Sequence, residues 1–350
     1  MAEKKHFSQL ESPSLTKSFG MGPDGQEILC HTLTHKNGME MSVMDYGATL
    51  TSLKIPTLNG ITDVVLGFDN AADYIGSYDL PSAPYVGCIV GRFAGRINRG
   101  TFPLHEKTIR LSRNHGLHHL HGGHEGFGQK RWQMTQRTQG EEPSITFAYT
   151  SPDGEENFPG TLTVEVTYRL TEPNRLVIDY HASSTRNTVV NLTQHSYFNL
   201  DGHRHDIRNQ TLFVNSVKML ETDSENIPTG LLLNVAHCPF DFTEEKKCPA
   251  AIDNTFVLNE KNRIAASLYS PQNQLKMNVY TTQPAVHIYV GGNCFGQLRG
   301  KENAAYHPHS GICFETQHYP DAPNHGHFPS TLLKKDEQYH HRTTFAFENI

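Results

Sequence analysis

Two residues in this 350-residue chain stand where an ionisable group is costly to leave idle. Glu315 follows the apolar run Ile312-Cys313-Phe314 and precedes a proline-rich turn within residues 311–324. A carboxylate at the end of a buried strand loses its hydration, which is unfavourable unless it is paired or serves as a base. His195 lies in residues 191–200, Asn-Leu-Thr-Gln-His-Ser-Tyr-Phe-Asn-Leu, where polar side chains fall on both faces of an otherwise strand-like segment. Such a segment inside a β core suggests a lined cavity, and the two residues together could form a general acid and base pair. Each also has a plainer reading. His195 fits a hydrogen-bonded core histidine, and Glu315 fits a carboxylate that anchors a turn by accepting backbone N–H bonds.

Histidine is abundant, at 22 residues, and densest in residues 114–124. His115, His118, His119, His121 and His124 could enclose a metal, but the run has neither a helical i,i+4 pair nor a cysteine partner. Gly122-Gly123 indicates instead a tight turn or close backbone approach to a ligand. The expectation is no metal, with His121 the candidate ligand contact and the other histidines at the surface. Residues 91–97, Gly-Arg-Phe-Ala-Gly-Arg-Ile, lack phosphate-loop spacing and no helical pattern follows them, so a nucleotide loop is excluded. A guanidinium donates in a fixed fork. Arg96 is expected to aim that fork into a polar pocket, and Arg92 to point outward into a salt bridge.

The elements that must position these groups are strands. Leu162, Val164, Val166, Tyr168 and Leu170 alternate with Thr163, Glu165, Thr167 and Arg169, a period of two that buries one face. The same alternation recurs at Ile145-Phe147-Tyr149, Leu176-Ile178-Tyr180, Leu275-Met277-Val279 and Phe345-Phe347. Asn59-Gly60, Lys36-Asn37-Gly38 and Pro152-Asp153-Gly154 are expected to close hairpins. Helical periodicity is confined to a turn or two over residues 69–75. The pattern predicts a mainly β protein, a large antiparallel sandwich with few short helices. With no linker, charge block, low-complexity segment or 20–50-residue repeat, residues 1–350 read as a single domain.

Composition narrows the partners. The net charge is −6, and Lys and Arg are scattered, so there is no electrostatic footprint for nucleic acid or an anionic membrane. The apolar stretch at 230–234 is far short of the roughly 18–20 residues that a membrane-spanning helix needs. Residues 1–15 have a basic patch without the apolar region of a secretory signal, so a cytoplasmic location is expected. Cys30, Cys88, Cys238, Cys248, Cys294 and Cys313 form no CxxC pair and are expected to be reduced. A small neutral ligand is the partner these features favour.

In chain order, eight segments resemble the aldose 1-epimerase (galactose mutarotase) family across nearly the whole length. They are DYGATLTSLKIP (45–56), GRFAGRI (91–97), LHGG (120–123), SPDGEENFPGTL (151–162), NLTQHSYFNL (191–200), IDNTFVL (252–258), VYTTQPAVHIY (279–289) and FETQHYPDAPN (314–324). The resemblance implies a galactose mutarotase-like supersandwich with a sugar cleft and no cofactor. It implies interconversion of the α and β anomers of aldohexoses such as D-glucose and D-galactose, by a monomer or homodimer. Carried over by motif, Glu315 is the general base and His195 the general acid, with Arg96, His121, Asp253 and Gln283 binding hydroxyls. Three positions depart from the usual pattern: Gly95 replaces an Asn before the arginine, Gln194 an Asn before the histidine, and Gly128-Gln129 an Asp-Lys pair. The rival readings are a sugar-phosphate 1-epimerase, a glycoside hydrolase using Asp253 and Glu315, and a non-catalytic sugar-binding module.

Overall fold

A computed structural model describes residues 15–236, 238–258, 263–292 and 299–350. Cys294 and the basic N-terminal patch lie outside the described residues. Two broad antiparallel sheets dominate. The larger has nine strands in the order Gln133–Thr138, Ser144–Ser151, Leu162–Thr171, Arg175–Ser184, Gln338–Asn349, Leu275–Thr281, Ala266–Ser270, Thr211–Val214 and Lys246–Lys247. The smaller has six: Tyr197–Phe198, Ile312–Gln317, Ala285–Val290, Ile252–Val257, Lys218–Thr222 and Pro228–Asn234. A five-stranded meander runs from Thr16–Met21 to Gly60–Asp63.

The period-two pattern does what alternation on a pleated sheet requires. Leu162, Val164, Val166, Tyr168 and Leu170 are all buried, while Thr163 and Glu165 are exposed. Burial of each large apolar side chain contributes on the order of 1.5–3 kcal/mol, so the strand's inner face alone commits it to one register. The two sheets meet through rings and hydroxyls: Phe198 packs on Phe345 with ring centroids 4.8 Å apart, and Thr316 Oγ1 lies 2.5 Å from Thr343 Oγ1. Ile312 and Phe314 on one side and Val166, Ile178 and Phe345 on the other belong to the same core.

Short-range expectations fare unevenly. The one α-helix among the described residues is Ala71–Ser77, capped by Asn70, whose side chain accepts the Asp73 N–H at 3.0 Å. Lys36-Asn37-Gly38 and Asn59-Gly60 do close hairpins, with Thr34 opposite Glu40 and Thr57 opposite Gly60. Pro152-Asp153-Gly154 does not close one tightly. Ser151 pairs with Leu162, and the intervening residues form a projecting loop.

That loop corrects the expectation for Arg92. The side chain is buried rather than outward, and no carboxylate among the described residues partners it in a salt bridge. Its Nε donates to Ser151 Oγ at 2.7 Å, while Nη1 and Nη2 donate to the carbonyls of Gly160, Ser151 and Pro152 at 2.8–2.9 Å. The fork satisfies carbonyls at the end of the strand Ser144–Ser151 and in the loop that follows it. Cys30, Cys88, Cys238, Cys248 and Cys313 are free thiols. No described helix is long and apolar enough to cross a membrane.

Candidate active site

One face of the six-stranded sheet supplies the chemistry. On Ile312–Gln317, Ile312 and Phe314 enter the core, so Cys313, Glu315 and Gln317 take the other face. On Ala285–Val290 the same logic sends Val286, Ile288 and Val290 inward and His287 and Tyr289 outward. The register then fixes neighbours: His287 lies between Thr255 and Glu315, and Tyr289 between Asp253 and Cys313. A cavity of about 430 Å³ stands over this face, lined by Glu315, Gln317, His287, Tyr289 and Asp253 from the sheet.

Loops complete the walls. His195 leaves the bridge Thr193–Gln194 and places its Nε2 3.5 Å from Glu315 Oε1, with Nδ1 3.6 Å from Cys313 Sγ. Both side chains are nearly inaccessible, at 5% and 2% exposure. Glu315 Oε2 has no hydrogen-bond partner among the described residues, although it is buried. An unpaired buried carboxylate oxygen is expensive and marks a position for a ligand or water proton. His121 and Arg96 come from the paired short strands His119–Leu120 and Arg96–Ile97 and their flanks. The His121 ring lies 5.6 Å from that of His195 and 4.8 Å from that of Tyr85, another wall of the cleft.

Backbone contacts set the state of His121. Its Nδ1 accepts the Gly95 N–H at 3.2 Å, which leaves Nε2 to carry the proton of the neutral ring and makes it a donor. Burial, aided by the nearby His195 and Arg96 charges, holds this imidazole well below its ordinary ionisation range. Asp253 behaves oppositely. Burial would raise its proton affinity, but the His287 hydrogen bond and charge together with Arg96 hold the carboxyl well below the usual range. Asp253 Oδ1 is 2.9 Å from His287 Nε2, and Oδ2 is 3.6 Å from Arg96 Nη2 and 3.2 Å from Asn226 Nδ2.

The structure thus brings Glu315, His195, His121, Arg96 and Asp253 around one cavity, and leaves Gln283 out of it. Gln283 donates from Nε2 to Tyr339 Oη at 3.2 Å and lines a separate cavity of about 330 Å³ with His318 and His341. It precedes Pro284, in the bend before the strand begins at Ala285, so the strand's alternation does not extend to it. The residues that reach the cleft from this segment are His287 and Tyr289. The alternation of Val286, Ile288 and Val290 assigns both to the face opposite the core. Tyr85 and Asn226, both cavity walls, come from irregular segments with no periodicity to reveal them.

The histidine run does not converge on one point. His118 Nδ1 accepts the Arg99 N–H, His119 Nδ1 faces the Ser112 carbonyl, and His115 and His124 line the cleft mouth with His121. His121, His195 and Glu315 do offer ligand-type atoms within 4.8 Å of one another. The Gly95 N–H, however, fixes His121 as a donor through Nε2, which suits hydroxyl binding better than metal ligation. The departures at 95 and 128 also have local causes. A Cβ on Gly95, at φ +79°, would lie 2.8 Å from Pro320 Cγ, and one on Gly128 would run into the Tyr78 hydroxyl and the Cys88 sulfur. Gln194 donates to the Gly87 carbonyl and Ser196 Oγ and accepts the Ser196 N–H, so it braces the residues on either side of His195.

Comparison with known proteins finds relatives over nearly the whole chain. The family model described as aldose 1-epimerase matches residues 29–346. Galactose mutarotase of Bos taurus is 37% identical over 347 residues, covering 95% of this chain and 98% of the relative. Aldose 1-epimerase of Escherichia coli K12 is 34% identical over 351 residues, covering 95% and 99%. Among solved structures, an aldose epimerase homologue from C. elegans superposes with a TM-score of 0.84 at 28% identity, covering 91% of this chain and 98% of the other. A galactose 1-epimerase from Lactobacillus acidophilus gives 0.82 at 27%, covering 95% and 98%. With the fold, the motifs and the family model in agreement from the first sheet to the last strand, this chain belongs to the aldose 1-epimerase family.

Proposed function

We propose that the protein interconverts the α and β anomers of aldohexoses, with D-glucose and D-galactose the first substrates to test. The observation that carries the proposal is Glu315: a buried carboxylate with an unpartnered oxygen, 3.5 Å from His195 Nε2, in a cavity large enough for one sugar. Glu315 takes the proton from the anomeric hydroxyl while protonated His195 gives one to the ring oxygen. The C1–O5 bond breaks and an open-chain aldehyde forms. Rotation about C1–C2 presents the other carbonyl face. His195 then removes the O5 proton as O5 attacks C1, Glu315 returns its proton to O1, and both groups regain their starting states. Each general acid or base supplies about 10²–10⁴ in rate. His121 Nε2, Arg96 and Asp253 hold hydroxyls that change little during the reaction.

Two observations weigh against the rivals. Asp253 is already bound by His287, Arg96 and Asn226, which suits an acceptor of hydroxyl protons better than the second carboxylate of a glycosidase. Among the described residues that line the cavity, Arg96 is the one Lys or Arg, and its charge is opposed by Asp253, so a sugar phosphate would find no free cation there. Polarimetry of freshly dissolved α-D-glucose and α-D-galactose tests the proposal. Acceleration of anomer exchange above the buffer rate is expected. Binding without acceleration would make the protein a sugar-binding module instead.

A further inference from the structure

We infer that His287 is a positioning residue, clamped between Thr255 and Asp253 on the floor of the cleft, that fixes Asp253 as an oriented acceptor for a sugar hydroxyl. The inference rests on the reading of the cleft as an aldose site. Its basis is geometric. The ring lies on the middle strand of three, cross-strand from Thr255 on one side and Glu315 on the other. Nδ1 is 2.8 Å from Thr255 Oγ1 and Nε2 is 2.9 Å from Asp253 Oδ1, so both nitrogens are engaged and the side chain is only 12% exposed. A ring held at both ends has little freedom to swing toward a ligand. Its effect passes through Asp253.

The carboxylate needs such a clamp because its own strand does not secure it. Asp253 is nearly one-third exposed, and Oδ2 is approached by Arg96 and Asn226 at longer range, 3.6 and 3.2 Å. With Oδ1 taken by His287, Oδ2 is the oxygen presented toward the Arg96 wall. Charge supports the geometry. Burial disfavours a protonated ring, but the Asp253 hydrogen bond and the charges of Glu315 and Asp253 outweigh burial and the opposing Arg96. The ring is therefore held above its ordinary ionisation range, and Nε2 carries the proton it donates to Asp253. Charge-assisted hydrogen bonds of this kind are shorter and stronger than neutral ones.

Substitutions at His287 and Asp253 and one spectrum test this. His287→Leu removes the donor, whereas His287→Gln keeps an N–H at a similar reach. The expected result is a KM for α-D-galactose at least about tenfold higher in His287→Leu, with kcat within about threefold and KM largely restored in His287→Gln. In the Asp253→Asn background, His287→Leu should add little, since both changes break the same contact. A KM within twofold of the parent in His287→Leu would overturn the inference. So would a hundredfold loss of kcat at unchanged KM, which would place the ring at the reacting atoms. The third measurement needs no turnover: nitrogen-15 NMR of the imidazoles at pH 7 should show a protonated His287 Nε2 whose resonance moves in Asp253→Asn. An unprotonated Nε2, or one indifferent to that substitution, would overturn the clamp even if either variant failed to fold. If the parent protein accelerates no anomer exchange, the aldose reading fails, and the spectrum still decides the clamp.

Discussion

In the proposed reaction Glu315 and His195 bear different burdens, and their substitutions should show it. Glu315→Gln preserves shape and removes the base, so kcat should fall by at least about a hundredfold while the thermal transition stays close to the parent's. Polarimetry and a melting curve on the same preparation check both halves. His195→Asn should lose less, because water admitted to the space left by the ring can protonate O5 in its place. Arg96→Ala is expected to raise KM more than it lowers kcat, since its guanidinium faces Asp253 on the cavity wall and is assigned to hydroxyl binding in the proposed reaction. A collapse of kcat at constant KM in Arg96→Ala would move that residue into the chemistry.

At the scale of elements, what could be read in advance depended on periodicity. The strand Leu162–Thr171 was legible because every second residue is apolar and buried, and Glu315 because a charge after three apolar residues has few inexpensive explanations. Asp253 and His287 obey the same rule once the strands Ile252–Val257 and Ala285–Val290 are paired, but the pairing between them is a long-range fact that composition does not contain. Motif resemblance misplaces Gln283 because it precedes Pro284, where the strand has not yet begun. The sequence does not reveal the burial of Arg92 because nothing local shows that residues 151–160 turn their carbonyls toward it. Its fork predicts a consequence. Arg92→Lys keeps the charge but cannot serve Ser151, Pro152 and Gly160 together, and the orphaned carbonyls should cost about 2–4 kcal/mol. Chemical denaturation would measure this, and hydrogen exchange should locate the loss in residues 151–160. A variant as stable as the parent would show that the fork is dispensable.

For the whole molecule, the question is what joins the five-stranded N-terminal sheet to the rest, since a site built on the six-stranded sheet also takes walls from residues 78–96. One buried joint is polar. Asp63, at the end of the meander, accepts from Lys301 Nζ and Ser52 Oγ at 2.7 Å each and from the Leu53 N–H at 3.0 Å, with His203 Nε2 3.6 Å away. Lys301 also donates to the Thr51 carbonyl at 2.7 Å. Burial would raise the proton affinity of Asp63, but the Lys301 charge and the His203 contact hold its carboxyl well below the usual range. The sign follows from linkage. A carboxyl whose folded ionisation lies below its unfolded value of about 4 contributes stability that is complete above that value, and it is lost as pH falls toward the folded one. Asp63→Asn should therefore lower stability at pH 7 by about 3–5 kcal/mol, because Lys301 remains buried without its counter-charge. Below about pH 4 the parent should lose stability faster than the variant, and the gap should narrow steadily as pH falls toward the folded value, by about 1 kcal/mol at pH 3. Urea titrations at several pH values measure the gap directly. The double variant Asp63→Asn, Lys301→Met should recover part of the loss, since it removes the stranded cation as well. A gap that stays constant down to pH 3 would mean that the joint is held by packing and hydrogen bonds alone, without the charge pair.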